Sequence, residues 1–339
     1  MKFGVGLPTA TAGMMYPTPF ATAADVVDIA VEAEQLGYYE VAGNDHITTQ
    51  QYVRESYPTP PDFFEPLVTY GYIAARTSVL RLLTGILVFP MRQPVLLAKQ
   101  LSTLDQLSGG RVMVGAGTGA YREEFVASQP HLASAHRGRL MNESIEAVQL
   151  LFRERRASYS GEYVSFDDVE MFPKPVQDPL PIYPAGNADA SIRRAARFGQ
   201  GWLPAGLGPE AIAAGKAKLA QYAAEEGRAD VDFAIAPQVM VCLADTTEQA
   251  EETYRKSQLF HHLVTLQQST LKDVSVDSYI TNNCIGTPDD VIAKVKEFEA
   301  AGAGHLAGIY FAANNVEEMR QQIRRFARDV IPAFEGEQS

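Results

Sequence analysis

The sequence predicts an α/β fold, a single closed (β/α)8 TIM barrel, on three observations. Eight short apolar runs read as strands, a segment with helical periodicity follows each, and no Pro/Gly/Ser-rich linker divides the series. At 339 residues with 46% hydrophobic content, the chain is long enough for one large domain with a full core. The expected domain is 1–339, with insertions at approximately 155–178 after strand four and 259–285 after strand seven.

Strand one is expected at Phe3 to Leu7. The helix Thr22 to Leu36 follows, with Ala23, Val26, Val27, Ala30, Val31 and Ala33 at helical spacing and Gly37 as its stop. Tyr38 to Ala42 is strand two, ending in Gly43-Asn44-Asp45-His46 and a Pro- and Tyr-rich functional loop to about Pro61; Leu67 to Ala75 is the next helix. Leu82 to Phe89 is an almost unbroken apolar run, as in a strand buried on both faces, and Pro90 stops it. From Pro94 to Leu107, Val95, Leu96, Leu97, Leu101, Leu104 and Leu107 recur at helical spacing, with Pro94 in the first turn and Gly109 past the end. Strand four, Val112 to Ala116, runs into Gly117, Thr118 and Gly119.

Arg137 to Arg153 is a helix. Ala157 to Pro175 is an excursion that contains the hairpin-like Tyr159-Ser160-Gly161-Glu162-Tyr163. Pro181 to Ala185, Gly201 to Pro204, Phe233 to Leu243 and Leu306 to Phe311 supply the remaining strands. Their helices are Ser191 to Phe198, Pro209 to Glu225, Glu248 to Gln258 and Val316 to Val330, with a further helix at Pro288 to Ala300. Phe260 to Cys284 repeats no clean period and reads as a second, partly helical insertion.

A formal charge of -12 argues against a nucleic-acid partner and a polybasic membrane anchor, both of which need clustered positive charge. No apolar run approaches the roughly 20 residues of a membrane span, and MKFGVGLPTA reads as a strand and not as a secretory leader. Cys242 and Cys284 form neither a CxxC pair nor a disulfide framework, so a cytoplasmic protein is expected.

In such barrels chemistry sits where strands end. That rule selects Leu7 to Met15, Gly43 to His46, Thr84 to Pro90, Ala116 to Tyr121, Ala185 to Asn187 and Trp202 to Ala205. His46, beside Asp45, is either an acid–base group or a loop histidine satisfied by a neighbour. Gly117-Thr118-Gly119 leave amides open to an anion or a flat ring, although GAGTGA matches a dinucleotide fingerprint only loosely. Gly186-Asn187 before Ser191-Ile192-Arg193-Arg194 reads as an anion-binding helix start or as an ordinary turn with a cap. Glu123 and Glu124 are expected to diverge, and His261 and His262 to be surface or lid residues. No metal-binding spacing, GxSxG or P-loop occurs.

Several blocks together carry a resemblance: GNDHI; TGILVFPMRQPVLLAKQLSTLDQLSGGRVMVGAGTG; RGRLMNESIEAVQLLF; FPKPVQDPLPIYPAGN; RRAARFGQGW; and CIGTPDDVIAKVKEFEAAGAGHLAGIYF. Across nearly its whole length the chain resembles the bacterial luciferase-like superfamily of flavin-dependent oxidoreductases, most strongly around LSGGR. The resemblance implies a cis peptide at Gly85-Ile86, in a bulge that with Thr84 backs the isoalloxazine ring. It also implies cofactor contacts from Gly117, Thr118 and Tyr121, and from Ala185, Gly186 and Asn187 near the phosphate, with His46 as base and Asp45 beside it. Gly117 and Thr118 stand where light-emitting relatives carry a cysteine and a phosphate-binding arginine, and Ala120 stands where sugar-phosphate dehydrogenases carry an acid; both specific activities are disfavoured.

The implied activity is a monooxygenase using reduced flavin (FMN) and oxygen on a small organic substrate, covered by Ile47 to Pro61 and by Phe260 to Asn283. A separate flavin reductase and a homodimer are the implied partners. Two alternatives stand beside it: a dehydrogenase or reductase using the deazaflavin coenzyme F420, and a flavin-binding protein without turnover.

Overall fold

The computed structural model describes residues 1–266 and 275–334. Six of the expected strands form one parallel wall. In ring order it runs β12 (His305–Phe311), β1 (Lys2–Leu7), β2 (Glu40–Gly43), β3 (Arg81–Val88), β4 (Val112–Gly117) and β7 (Ile182–Pro184). The remaining arc is made by β8 (Gly201–Trp202), β9 (Ala234–Ile235) and β10 (Met240–Leu243). Backbone bonds carry it around: Leu203 N to Pro184 O (3.2 Å), Ala236 N to Trp202 O (3.0 Å) and Ala307 N to Pro237 O (3.0 Å).

The strand expected at Phe233 to Leu243 is therefore two short ones, because Pro237 has no N–H to donate to the ladder. Its first half pairs with β8 and its second half with β12. Cys284–Gly286, placed by the sequence in an insertion, is a parallel edge strand, β11, on β10. That expected insertion, 259–285, contains the helices Gln258–Leu266 and Ser278–Thr281, and part of it lies outside the described residues. In the other excursion, β5 (Ala157–Ser160) and β6 (Ser165–Val169) form an antiparallel hairpin. Its turn is held by Glu143, whose carboxylate accepts from the amides of Glu162, Tyr163 and Val164.

Each wall strand is backed by a helix whose apolar face matches it. In Pro94–Ser108 the buried residues include Leu97, Leu101 and Leu104. Leu96 and Leu107, counted among the apolar repeats, instead point outward at 58% and 70% exposure. They are eleven residues apart, three full turns, and so share the face opposite the core. Inside the barrel a thin layer of Ala42, Leu83, Met113, Tyr183, Leu203, Ala236 and Ala307 closes the floor beneath the mouth.

The LSGGR segment is a structural clamp. Buried Arg111 donates to the carbonyls of Ser108, Leu80, Ala74 and Thr77 and to Thr77 Oγ1. A guanidinium with its fork of donors thus ties the end of helix Pro66–Arg76 to the starts of β3 and β4. Among the described residues no helix is long and apolar enough to cross a membrane.

Candidate active site

At the carboxyl end of β2 the backbone turns into Asn44, Asp45 and His46, and each is fixed by a different neighbour. Asn44 Oδ1 accepts from the Tyr310 hydroxyl at 2.9 Å. Asp45 is buried, and its carboxylate accepts from Val88 N (2.9 Å) and from Arg92 Nε and Nη2 (3.1 and 2.8 Å). It pins the loop after β3 against that after β2, and its charge is spent on Arg92.

The carboxylate that meets His46 is that of Glu124, 2.9 Å from Nδ1. Its other oxygen accepts from Ile47 N (2.6 Å) and Thr48 N (3.3 Å). Burial pushes the Glu124 carboxyl up, but His46 and these two amides outweigh it and hold the group below the usual glutamate range. An ionised Glu124 requires the His46 proton on Nδ1. Gln50 Nε2 lies 2.8 Å from the same nitrogen and donates to Glu124 Oε2 at 3.4 Å, so the amide backs the histidine–carboxylate pair. His46 Nε2 makes no hydrogen bond among the described residues and is the atom left for the cavity that the ring lines. Glu123 diverges, as expected, to accept from Gln51 N at 2.8 Å.

The cavity lies at the strand ends and has a volume of about 190 Å³. Met14, Met15, Met240 and Leu263 give it apolar walls, while Asn44, Gln238 and Tyr310 line it with polar groups. On one side are Gly85 and Ile86, whose peptide is cis and whose register against β4 skips between Thr84 and Leu87. Gly117 leaves the volume that Ile86 occupies, since a Cβ there would lie 2.3 Å from Ile86 Cδ1. Gly119, at φ 79°, makes the sharp turn that brings Ala120 and Tyr121 to the rim.

Of the residues selected from sequence, Asp45, His46, Gly85, Ile86 and Tyr121 line this cavity. Thr84 is inside the wall and donates to Gly115 O at 2.9 Å. Gly186 N is spent on Leu203 O, and Asn187 exchanges two hydrogen bonds with the Ala205 backbone (2.8 and 3.1 Å). Thr118 and Ala185 stand at strand ends without reaching the lining. Sequence reasoning missed Glu124, Gln238, Met240 and Tyr310, which lie outside the inspected strand ends, whereas His262 and Leu263 fall in the Phe260 to Asn283 segment expected to cover the substrate; for Glu124 the only local signal is an acid one turn after the glycine turn.

Tyr121 stands 5.9 Å, ring to ring, from both His46 and Tyr52, and its hydroxyl is 3.3 Å from that of Tyr52. Burial raises both phenols above the ordinary tyrosine range, so both are neutral. The Ile47 to Pro61 loop contains a short helix, Gln51–Ser56. Among the described residues no group of three or more His, Cys, Asp or Glu is placed to hold a metal ion.

His261 is exposed, whereas His262 closes the cavity, with Nδ1 buried and unpartnered among the described residues. Burial, and secondarily His46, push its imidazole down to about 4. Between pH 6.5, its ordinary value, and about 4, the unfolded chain takes a proton that the folded one refuses. Stability is therefore expected to fall by roughly 2–3 kcal/mol as pH drops through that window and to be insensitive to this group above it. Urea unfolding midpoints at pH 7 and pH 4.5 read the slope, which His262→Gln should flatten; an equal slope in the variant excludes His262 as its source.

Comparison with known proteins gives the family and the fold. A sequence model of the luciferase-like monooxygenases matches residues 1–305. The F420-dependent glucose-6-phosphate dehydrogenase of Segniliparus rotundus is 26% identical over 322 residues, covering 91% of this chain and 93% of that protein. Among solved structures, monooxygenase RslO1 from Streptomyces bottropensis superposes with a TM-score of 0.77 at 24% identity, over 98% of this chain and all (100%) of its own. The oxygenating constituent of 3,6-diketocamphane monooxygenase from Pseudomonas putida, a type II Baeyer-Villiger enzyme solved with FMN, gives 0.73 at 18% identity, over 98% and 99% of the two chains.

Proposed function

Because the chain belongs to the luciferase-like monooxygenase family, we propose that it is a monooxygenase that uses reduced FMN and oxygen on a small organic substrate. The observation that carries this reading is the cavity at the strand ends, bounded by the Gly85-Ile86 bulge and holding a histidine oriented by a buried carboxylate. A flavin fits its lining. Apolar methionine walls suit the flat ring, and the buried amide of Gln238 offers a donor to its polar edge. Gln238 Nε2 is near enough to Tyr310 to offset part of the rise that burial imposes on that phenol, yet it makes no hydrogen bond of ordinary geometry. The residues that would hold the ring are Gly85, Ile86, Gly119, Ala120, Tyr121 and Gln238.

Bound reduced flavin supplies the electrons that activate oxygen, and the protein supplies position and a dry enclosure. Glu124 keeps the His46 proton on Nδ1, so Nε2 can take a proton from a substrate oxygen and return it. Met14, Met15 and Leu263 give the cavity that His46 lines its apolar walls. A second recess with Tyr52, Tyr57, Gln258, His261 and Asn314 shares Met14 and His262 with the cavity, and we assign it to substrate entry.

The second reading is F420-dependent hydride transfer, favoured by the near full-length similarity to the Segniliparus rotundus dehydrogenase and by a histidine suited to the accompanying proton. Anaerobic titration with reduced FMN and with reduced F420, followed by mixing with oxygen, separates the two. Binding of reduced FMN and its rapid reoxidation support the monooxygenase; exclusive binding of F420, inert to oxygen, supports the alternative. Binding of flavin with no turnover of any substrate class would leave a carrier.

The reading includes a separate flavin reductase, because all the wall strands belong to one barrel and no second nucleotide-binding unit stands among the described residues. A reducing cytoplasm suits Cys242 and Cys284, both buried and unpaired. A second copy of the chain is the proposed partner of the apolar outer face formed by Val68, Tyr72, Val79, Leu96 and Leu107, all more than half exposed on two adjacent helices and the turn after the first. Sedimentation should give twice the chain mass, and a Tyr72→Glu, Leu107→Glu double variant should sediment as a monomer; a wild-type monomer would end that assignment.

A further inference from the structure

His262 lines the cavity, yet the proton transfer assigned to His46 gives it no task. It stands on helix Gln258–Leu266, and its ring lines both the cavity and the outer recess. Nδ1 is sealed from solvent and has no partner among the described residues, so a proton on that nitrogen would find no acceptor. The ring's single proton therefore belongs on Nε2, the nitrogen left to face the two chambers. Burial, and secondarily His46, keep the imidazole uncharged at neutral pH. What the ring offers a ligand is one neutral N–H.

His46 offers the opposite. Its Nδ1 proton is held by Glu124, which leaves a lone pair on Nε2 in the same cavity. One imidazole thus donates and the other accepts, and both line one enclosure. A carbonyl or ether oxygen satisfies only the donor, since it has no hydrogen to give His46. A hydroxyl satisfies both, because it accepts from His262 while donating to His46.

The surroundings narrow the class of hydroxyl. The described lining residues carry no uncompensated charge: Asp45 is bound to Arg92, Glu124 to His46 and, in the recess, Lys256 to Glu252. Rings line the way in. Tyr52 and Tyr57 in the recess lead to Tyr121 in the cavity, whose ring is 5.9 Å from those of both Tyr52 and His46. Met14, shared by both chambers, adds a polarisable thioether that favours contact with a further aromatic ring.

We propose that the substrate is an uncharged phenol whose hydroxyl is held between His262 Nε2–H and His46 Nε2, so that His262 selects for that oxygen. This rests on the reading of the cavity as a flavin oxidoreductase site and names the substrate class for it. In the proton transfer the phenol O–H bond breaks, the proton joins His46 Nε2, and the electron pair stays on oxygen. Glu124 balances the imidazolium charge, and the ionised oxygen enriches the ring carbons beside and opposite it, which readies them for oxygenation.

The test is calorimetric titration with 4-methylphenol and its isostere 1,4-dimethylbenzene, which carries a methyl group in place of the hydroxyl. Wild type should bind the phenol roughly tenfold more tightly, the effect of two hydrogen bonds less the apolar gain of the methyl. In His262→Leu that preference should vanish while dimethylbenzene affinity holds, and His262→Gln, whose amide restores a neutral N–H, should recover part of it. No preference in the wild type, or an equal loss for both ligands in His262→Leu, would overturn the proposal. So would 4-methylcyclohexanol binding as tightly as the phenol, since the site would then read the hydroxyl and not the ring. Titrations without cofactor and again with FMN let the two readings fail separately. Hydroxyl preference without any binding of FMN sinks the flavin reading alone, and FMN binding without the preference sinks the phenol.

Discussion

His46→Ala is expected to slow the chemical step by roughly 100-fold or more, the usual contribution of a positioned acid–base group, while leaving folding and most cofactor affinity intact. The ring lines the cavity at the end of β2 and supports little core, and the residues proposed to hold a flavin are elsewhere in the mouth. Single-turnover kinetics with reduced cofactor already bound isolates that step. Glu124→Gln provides the companion readout: it keeps the side-chain shape but removes the charge that fixes the proton on Nδ1, so the rate should fall and the pH profile should move while cofactor affinity stays. An unchanged chemical step in His46→Ala would make the histidine a structural neighbour and shift catalysis to the cofactor and to substrate positioning.

Arg111→Ala is expected to lower stability by about 3 kcal/mol, read as a fall in the urea midpoint. The variant removes the donor to the carbonyls of Ala74, Thr77, Leu80 and Ser108, all on buried residues. Arg111→Lys should recover only a small part, because a single ammonium cannot reach carbonyls spread around a planar fork. A midpoint within experimental error of wild type would show that the clamp is dispensable and that LSGGR has another role.

Much of the architecture was legible in the chain. Helix starts and stops followed local chemistry: Thr22 caps the first helix with Asp25, and Gly109 takes the left-handed conformation after Ser108. Apolar periodicity located the wall strands, since burial on one or both faces imposes a pattern within each segment. It missed β11 and the break at Pro237, where pairing depends on which distant strand supplies the partner. It also grouped the exposed Leu96 and Leu107 with the apolar repeat of their helix, because hydrophobicity alone does not say which side of a helix meets the sheet.

The site divides the same way. Sequence alone determined the barrel, the strand ends where chemistry belongs, His46 as the acid–base candidate and the glycine turn after β4, all of them consequences of local spacing and residue type. Tertiary structure decided the partners. It gave Asp45 to Arg92 and Glu124 to His46, brought His262 to the cavity and turned Asn187 toward Ala205. The physical reason is that a hydrogen bond or ion pair requires two groups within about 3 Å, and residues 78 positions apart such as His46 and Glu124 acquire that proximity only when the barrel closes.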